Sequence, residues 1–490
     1  MRHVPSGDRT LFWLALLSVA AITLLRVGVL WLTPLQLYPD EAQYWWWSQT
    51  PDWGYFSKPP LIAWIIWLTT RLSVAEWAIR LASPLLHAGT ALLLFGIGRA
   101  AFSARVGLWG ALAYATLPGI SYSSGLISTD VPLLFCWALA LYAFLRARGD
   151  RRWNWVFLCG SAVGVGLLAK YAMLYFMLGA AIAAIFDLHS RRLVLSAPGA
   201  MALVLALLIL LPNAIWNAQH GFPTVAHTVA NANWSQAPFN FTHAVVFLAG
   251  QFGVFGPLMM AGWFGALLCL HRSEGDAGPS TVLAAFSVPV LVLVVIQSFI
   301  SDANANWAAP AYIAAVPLAT RTLLQWWDGR ALQLSLALGC AAMNALWLAE
   351  LNPLAAGAVG LGNAFKRQEG WKELGRAVVG EAKRGHYDAI VAANRSVVAE
   401  LLYYARPRNA PIRAWDQGAA PRDHFQMTMP LTGRSHRALI VVFPIEAKTV
   451  LGSFGSARFI RRIPIRLGTH HIRVLDFYEG LRFRPQSVRW

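Results

Sequence analysis

The sequence predicts an α-helical polytopic membrane protein of eleven to thirteen spans followed by a small α/β domain. Three observations carry that prediction. Of 490 residues, 57% are hydrophobic and only 13% are charged, with 23 Trp and 25 Phe, which is not a soluble composition. Eleven apolar runs of roughly spanning length fill the chain at 11–32, 78–98, 104–121, 129–146, 153–169, 171–187, 193–213, 243–270, 280–300, 306–324 and 331–350. After Phe365 no spanning run occurs, so residues 1–365 are expected to form the membrane domain and 366–490 a separate one. Amphipathic pieces at 61–72 and 353–365 read as interfacial helices or short extra spans.

The first run follows Arg2 and Arg9 and has no small-residue cleavage site after it, so it is expected to stay as the first helix. Orientation follows from arginine placement, because short cytoplasmic loops hold positive charge. With a cytoplasmic amino terminus, the inner connections collect Arg2, Arg9, Arg99, Arg105, Arg146, Arg148, Arg151, Arg152, Arg191, Arg192, Arg272, Arg321 and Arg330. The outer ones collect only Lys58, Arg71, Arg80 and Lys170. Lys58 and Lys170 thus lie on the disfavoured side, and Asp40, Glu41, Asp130 and Asp302 lie there with them, so the outer face is expected to hold the site. The net charge of +17 is spent on this topology and on the tail, and no nucleic-acid partner is expected. Cys136, Cys159, Cys269 and Cys340 all fall in apolar runs and form neither a disulfide framework nor a zinc pattern.

The stretch 38–60 packs Asp40, Glu41, Asp52, Lys58 and eight aromatic residues into 23 positions directly after the first span. Aromatic rings suit the headgroup layer, but carboxylates beside it are costly unless used. A segment from Pro212 to His243, with Asn213, Trp216, Asn217, Gln219, His220, His227, Asn233 and Trp234, reads as a longer outer loop. In the tail, periodicity predicts helices at Trp371–Arg384 and Ser396–Ala405, and strands at Asp388–Ala393, Ala438–Phe443, Phe459–Leu467 and Ile472–Phe477. The tail holds 22 of the 40 Lys and Arg against 10 of the 23 Asp and Glu, which reads equally as a surface for an anionic headgroup or phosphorylated glycolipid and as a merely solvated basic surface.

Each candidate has a bland and a functional reading. Asp40 is either the base that takes a proton from an acceptor hydroxyl or a helix-end residue at the start of Tyr-Pro-Asp-Glu-Ala-Gln-Tyr-Trp. Lys58, in Ser-Lys-Pro-Pro after Tyr55 and Phe56, is either a phosphate ligand or a snorkelling anchor. Asp130 is a site carboxylate or the start of a helix with Pro132 in its first turn. Lys170 has no acidic neighbour in sequence and needs a partner in space, for which a lipid phosphate is the attractive candidate. His220, His227 and His243 are spaced seven and sixteen apart and match no compact metal pattern. No glycine-rich phosphate loop supports a nucleotide donor.

These residues, in this order, resemble the GT-C glycosyltransferases of family 39 in the protein O-mannosyltransferase superfamily, the type that includes bacterial aminoarabinose lipid A transferases and rhizobial galacturonosyltransferases. The matching stretches are Tyr38-Pro39-Asp40-Glu41-Ala42, Ser57-Lys58-Pro59-Pro60, Ser128-Thr129-Asp130, Ala169-Lys170-Tyr171, Pro212-Asn213-Ala214-Ile215-Trp216-Asn217 and Ala305-Asn306-Trp307-Ala308-Ala309-Pro310. The resemblance implies a GT-C fold and a multi-pass protein of the bacterial inner membrane, with catalytic loops and tail in the periplasm. It implies an inverting transfer of sugar from a polyprenyl-phosphate donor to lipid A, lipopolysaccharide core or protein. It implies Asp40, Glu41 and Asp130 as the acidic catalytic set and Lys58 and Lys170 as the donor-phosphate ligands. Tyr44, Tyr55, Asn217 and His220 are the accompanying candidates for the substrate pocket. The aminoarabinose enzymes carry a glutamate that serves a metal just before the lysine matched by Lys58. Ser57 stands there in this chain, which counts against a divalent metal, and no cofactor is assigned. A protein O-mannosyltransferase and a flippase of lipid-linked sugars are the competing classes, the latter disfavoured by charges gathered at one face and by the lack of a repeat.

Overall fold

The computed structural model describes residues 6–150, 152–232, 239–270, 277–358, 364–406, 409–416, 420–433, 435–468 and 471–484. The chain divides into two compact units, one of residues 1–31, 58–65 and 80–347, the other of residues 32–57, 66–79 and 348–490.

The first unit is helical, and helix covers all eleven apolar runs. Among the described residues, six helices are long and apolar enough to cross a membrane: Gly7–Leu32, Glu76–Ala101, Asp130–Asp150, Ala197–Gln219, Gly278–Ile300 and Ala305–Leu351. The last holds two of the runs, separated where Trp327 and Asp328 take left-handed backbone and Gly329 has φ +86°. Trp153–Ala169 and Tyr171–Phe186 are shorter apolar helices, and Phe241–Phe255 meets Pro257–Leu268 at 102° across Gly256, whose φ of +84° suits glycine. The run at 104–121 divides at Leu117, since Pro118 has no N–H to continue the helix Ala104–Thr116 and instead starts Pro118–Ser123. The carbonyl of Ala115 near that break accepts a bond from the buried Arg26 guanidinium, which is how a charge is tolerated inside the first helix.

Small residues set the close packing of this unit. A side chain on Gly160 would meet the Ala202 carbonyl at 2.5 Å, and one on Gly164 the Ala206 Cα at 3.1 Å. Four positions apart, the two glycines share one helix face and let Trp153–Ala169 lie against Ala197–Gln219. Around them an aromatic core of Trp137, Phe144, Phe176 and Phe286 interlocks, with Phe176 and Phe286 4.6 Å apart. The expected outer loop from Pro212 is corrected in part: helix Ala197–Gln219 runs through Pro212, and Pro223–Ala232 is helical too. Beyond Pro212, Asn217 Nδ2 adds a bond back to the Asn213 carbonyl at 3.1 Å. Asn233 and Trp234 lie outside the described residues.

The second unit carries a five-stranded sheet in the order β2-β1-β3-β5-β4, with β1 Ala389–Ala392, β2 Ile412–Ala414, β3 Arg437–Val442, β4 Phe454–Leu467 and β5 His471–Phe483. β1 pairs parallel to β2 and β3, while β3–β5 and β4–β5 are antiparallel. Every β1 residue is buried, as its unbroken apolar sequence requires. The predicted helices appear as Trp371–Gly385 and Arg395–Tyr404. Strand β2 went unpredicted because three residues carry no readable alternation.

In the same unit, the helix Pro39–Ser48 is fixed by aromatic packing: Trp47 stacks on Tyr55 at 4.6 Å, and His424 sits edge-on to both. The Tyr55 hydroxyl donates to the Trp47 carbonyl at 3.1 Å and accepts from Asp52 N at 3.0 Å. Burial pushes the His424 imidazole down to about 4, with Asp52 opposing more weakly. An unfolded histidine titrates near ~6.5, so as pH falls from 6.5 towards 4 the unfolded state binds a proton that the folded state refuses. This contribution is present above pH 6.5 and lost below it, about 2 kcal/mol between pH 7 and 5. Hydrogen exchange of residues 39–55 and 424–428 is therefore expected to accelerate from pH 7 to 5, after correction for intrinsic rates, in wild type and much less in His424→Gln. Equal acceleration in both would remove His424 as the cause.

Candidate functional site

The second unit presents Asp40 in the first turn of Pro39–Ser48, with Pro39 starting the helix. Arg395, the first residue of Arg395–Tyr404, donates through Nη1 to Asp40 Oδ1 at 2.8 Å and to Gln43 Oε1 at 2.7 Å. Asp40 and Gln43 are three apart and so face the same way. The Asp40 and Arg395 side chains remain 40% and 34% exposed, and Asp40 Oδ2 makes no hydrogen bond among the described residues. Glu41 differs sharply. It is 1% exposed, and its Oε2 accepts from Tyr38 N at 2.8 Å, satisfying the N–H of the residue that precedes the helix. The two adjacent carboxylates therefore have different jobs: Glu41 holds the helix start, and Asp40 keeps an open oxygen. Tyr44 and Tyr55 are buried, Tyr44 against Trp47, so both shape the segment from within.

The first unit gathers a second polar cluster from several helix ends. Asp130, 7% exposed at the start of Asp130–Asp150, accepts from Lys170 Nζ at 2.6 Å and from Asn306 Nδ2 at 2.6 Å, one on each oxygen. Lys170 sits in extended backbone at the break after Trp153–Ala169. The partner that sequence left open for Lys170 is thus a carboxylate of the same unit, and its side chain stays 21% exposed. Next to it, the Tyr171 hydroxyl donates to Asn213 Oδ1 at 2.8 Å and accepts from Asn217 Nδ2 at 3.2 Å. Gln251 joins the region by donating to the Ala305 carbonyl at 3.3 Å and accepting from the Tyr312 hydroxyl at 2.7 Å. Asn217 is therefore a buried member of the network, whereas exposed His220 stacks on Trp216 at 4.1 Å. Lys58 is half-buried where Pro59 and Pro60 lead into Leu61–Thr69.

Sequence reasoning did not single out Arg395, and quoted Gln43, Tyr171 and Asn306 only within longer stretches. Arg395 meets Asp40 across 355 positions, a pairing that local sequence cannot announce. For a metal, no group of three or more His, Cys, Asp or Glu is placed to hold one among the described residues. His227 lies beside Asn231, and His243 pairs with Asp302 at 3.0 Å. The residue before Lys58 is Ser57, which offers no carboxylate to a metal.

Comparison with known proteins gives four findings. A family model described as dolichyl-phosphate-mannose-protein mannosyltransferase matches residues 57–216. The lipid A galacturonosyltransferase RgtD of Rhizobium johnstonii is 35% identical over 418 residues, covering 85% of this chain and 88% of that protein. The undecaprenyl phosphate-alpha-4-amino-4-deoxy-L-arabinose arabinosyl transferase of Pseudomonas aeruginosa is 31% identical over 222 residues, 40% of each chain. Among solved structures, apo ArnT from Cupriavidus metallidurans superposes with a TM-score of 0.65 at 16% identity, over 95% of this chain and 98% of that one, and so shares its fold.

The Asp130–Lys170 pair is testable as structure separately from chemistry. Lys170→Gln leaves a nearly buried carboxylate without its cation and is expected to lower the melting temperature of the detergent-purified protein, a loss of roughly 3 kcal/mol. Adding Asp130→Asn is expected to recover much of it, since both charges are then gone. Melting temperatures that simply add would show that the pair is not coupled.

Proposed function

Because the chain belongs to the GT-C glycosyltransferases of family 39 in the protein O-mannosyltransferase superfamily, we propose that it transfers a sugar from a polyprenyl-phosphate carrier to lipid A or the lipopolysaccharide core. The reaction takes place at the periplasmic face of the bacterial inner membrane, an orientation supported by the thirteen-to-four arginine and lysine asymmetry. The sugar is a hexuronic acid, supported by the relative matched over 88% of its length, whose name specifies galacturonosyl transfer to lipid A.

The roles follow from the chemistry of each group. Lys58 and Lys170 take the donor phosphate as point charges, and Lys170 exchanges Asp130 for that phosphate as the donor binds. Asp130, held also by Asn306, positions Lys170. Asp40 Oδ2 accepts the proton of the acceptor hydroxyl while that oxygen attacks the anomeric carbon. The bond from anomeric carbon to phosphate oxygen breaks, its electron pair leaves with the polyprenyl phosphate, and the lysines stabilise the charge released. One displacement inverts the configuration. The observation that carries the assignment is the open, half-exposed oxygen of Asp40 beside a Glu41 committed to the helix cap.

Mass spectrometry of envelope glycolipids tests this in a deletion strain complemented with wild type or Asp40→Asn. Loss of one hexuronic acid mass from lipid A or core in the deletion and in Asp40→Asn, restored by wild type, is the expected result. Unchanged glycolipids with altered protein glycosylation would replace the acceptor by polypeptide. Accumulation of the sugar-charged carrier on the cytoplasmic side would replace transfer by flipping.

A further inference from the structure

The Arg395 guanidinium is anchored by one nitrogen only. Nη1 carries the bonds to Asp40 and Gln43, while Nε and Nη2 make no hydrogen bond among the described residues, on a side chain 34% exposed. Its backbone is held firmly: Asn394 Oδ1 accepts from Ser396 N at 2.9 Å to cap the helix that Arg395 begins, and Asn394 Nδ2 reaches Glu446 at 3.3 Å. The neighbouring acid, Asp423, makes no hydrogen bond or ion pair with Arg395 among the described residues. Its Oδ1 already accepts from Phe425 N and Gln426 N, and burial, opposed by those bonds and by Arg395, raises its pKa. Nearby, the Arg367 guanidinium lies 4.2 Å over the Tyr38 ring, so a further cation flanks the start of the Asp40 helix. What remains is a planar pair of parallel N–H donors, without a hydrogen bond among the described residues, beside the candidate base.

That edge matches a carboxylate, which accepts two parallel charge-assisted bonds from an arginine. We propose that Arg395 is the specificity residue for the donor sugar, its Nε and Nη2 binding the carboxylate of the hexuronic acid while Nη1 keeps Asp40 aligned. The inference rests on the reading of Asp40 as the base, since it places the same sugar ring against both residues. A neutral hexose, with a hydroxymethyl group in place of the carboxylate, leaves the fork without an anion. An amino sugar brings a cation towards a guanidinium. The selection is therefore built from attraction for one charge and repulsion of the other.

The test uses purified full-length wild type, Arg395→Gln and Arg395→Lys, with polyprenyl-phosphate galacturonate as donor and polyprenyl-phosphate galactose as alternative substrate or competitive inhibitor. Wild type is expected to prefer the galacturonate donor. Arg395→Gln is expected to lose roughly 10- to 100-fold in kcat/KM for it, with its affinity for the galactose donor within about threefold of wild type. Arg395→Lys keeps the charge without the fork and is expected to lose part of the preference. If Arg395→Gln does not fold, the loss in Arg395→Lys decides the matter. Because losing Nη1 also disturbs Asp40 and slows transfer from either donor, donor affinity is the deciding readout: equal losses of affinity for both donors, or an undiminished preference in the variants, would overturn the assignment. A wild-type preference for galactose would instead overturn the hexuronic acid reading itself, and the Arg395 assignment with it.

Discussion

Lys170 interrupts an apolar stretch between two helices, and the Asp130 carboxylate 2.6 Å away is what allows a cation to remain there. Much of the first unit's polar architecture radiates from that pair. Asn306 satisfies the second oxygen of Asp130, and Tyr171, Asn213 and Asn217 form a neutral chain beside Lys170. Gln251 ties the Ala305 carbonyl to Tyr312. Most of these groups are answered by another, the buried Asn217 Oδ1 being an exception among the described residues, so a polar region persists among apolar helices with its charges paired. A pair of this kind also suits a binding site, because an arriving phosphate offers Lys170 a replacement anion.

The second unit solves a related problem at Asp40. Its carboxylate is held by Arg395 through one oxygen, and the adjacent Glu41 is withdrawn into the helix cap. Two neighbouring acids thus differ in exposure and partners, which is the usual way that one of a pair is set aside for chemistry while the other serves structure. The Trp47–Tyr55–His424 packing keeps the helix carrying them in place. Arg367 and Arg406 add cations on the rings of Tyr38 and Trp45, so the surroundings of this helix are basic even though its first turn is acidic.

The parts legible in the sequence were those with a strong period or a strong local rule. Eleven apolar runs announced helices, and the strands β1, β3, β4 and β5 followed from their β-rich apolar stretches. The order Asp40, Lys58, Asp130, Lys170 announced a glycosyltransferase family. The path of the chain beyond Pro212 was not legible, because a proline and several amides read as a loop until tertiary contacts give those amides partners. The difference between Asp40 and Glu41 was hidden too, since it depends on which side chain folds back onto the Tyr38 N–H. Arg395 was invisible for a simpler reason: its partner is far away in sequence, and only the folded unit brings the two together.

The most direct test of the account is single-turnover transfer by Asp40→Asn, with donor binding measured on the same preparation. Loss of the proposed base is predicted to slow the chemical step by about 10²- to 10⁴-fold, with the donor dissociation constant within about threefold of wild type, because the proposed phosphate ligands are Lys58 and Lys170 and not Asp40. A wild-type rate in Asp40→Asn would contradict the central claim outright. A slow rate that arises wholly from lost donor binding would move Asp40 from catalysis to recognition.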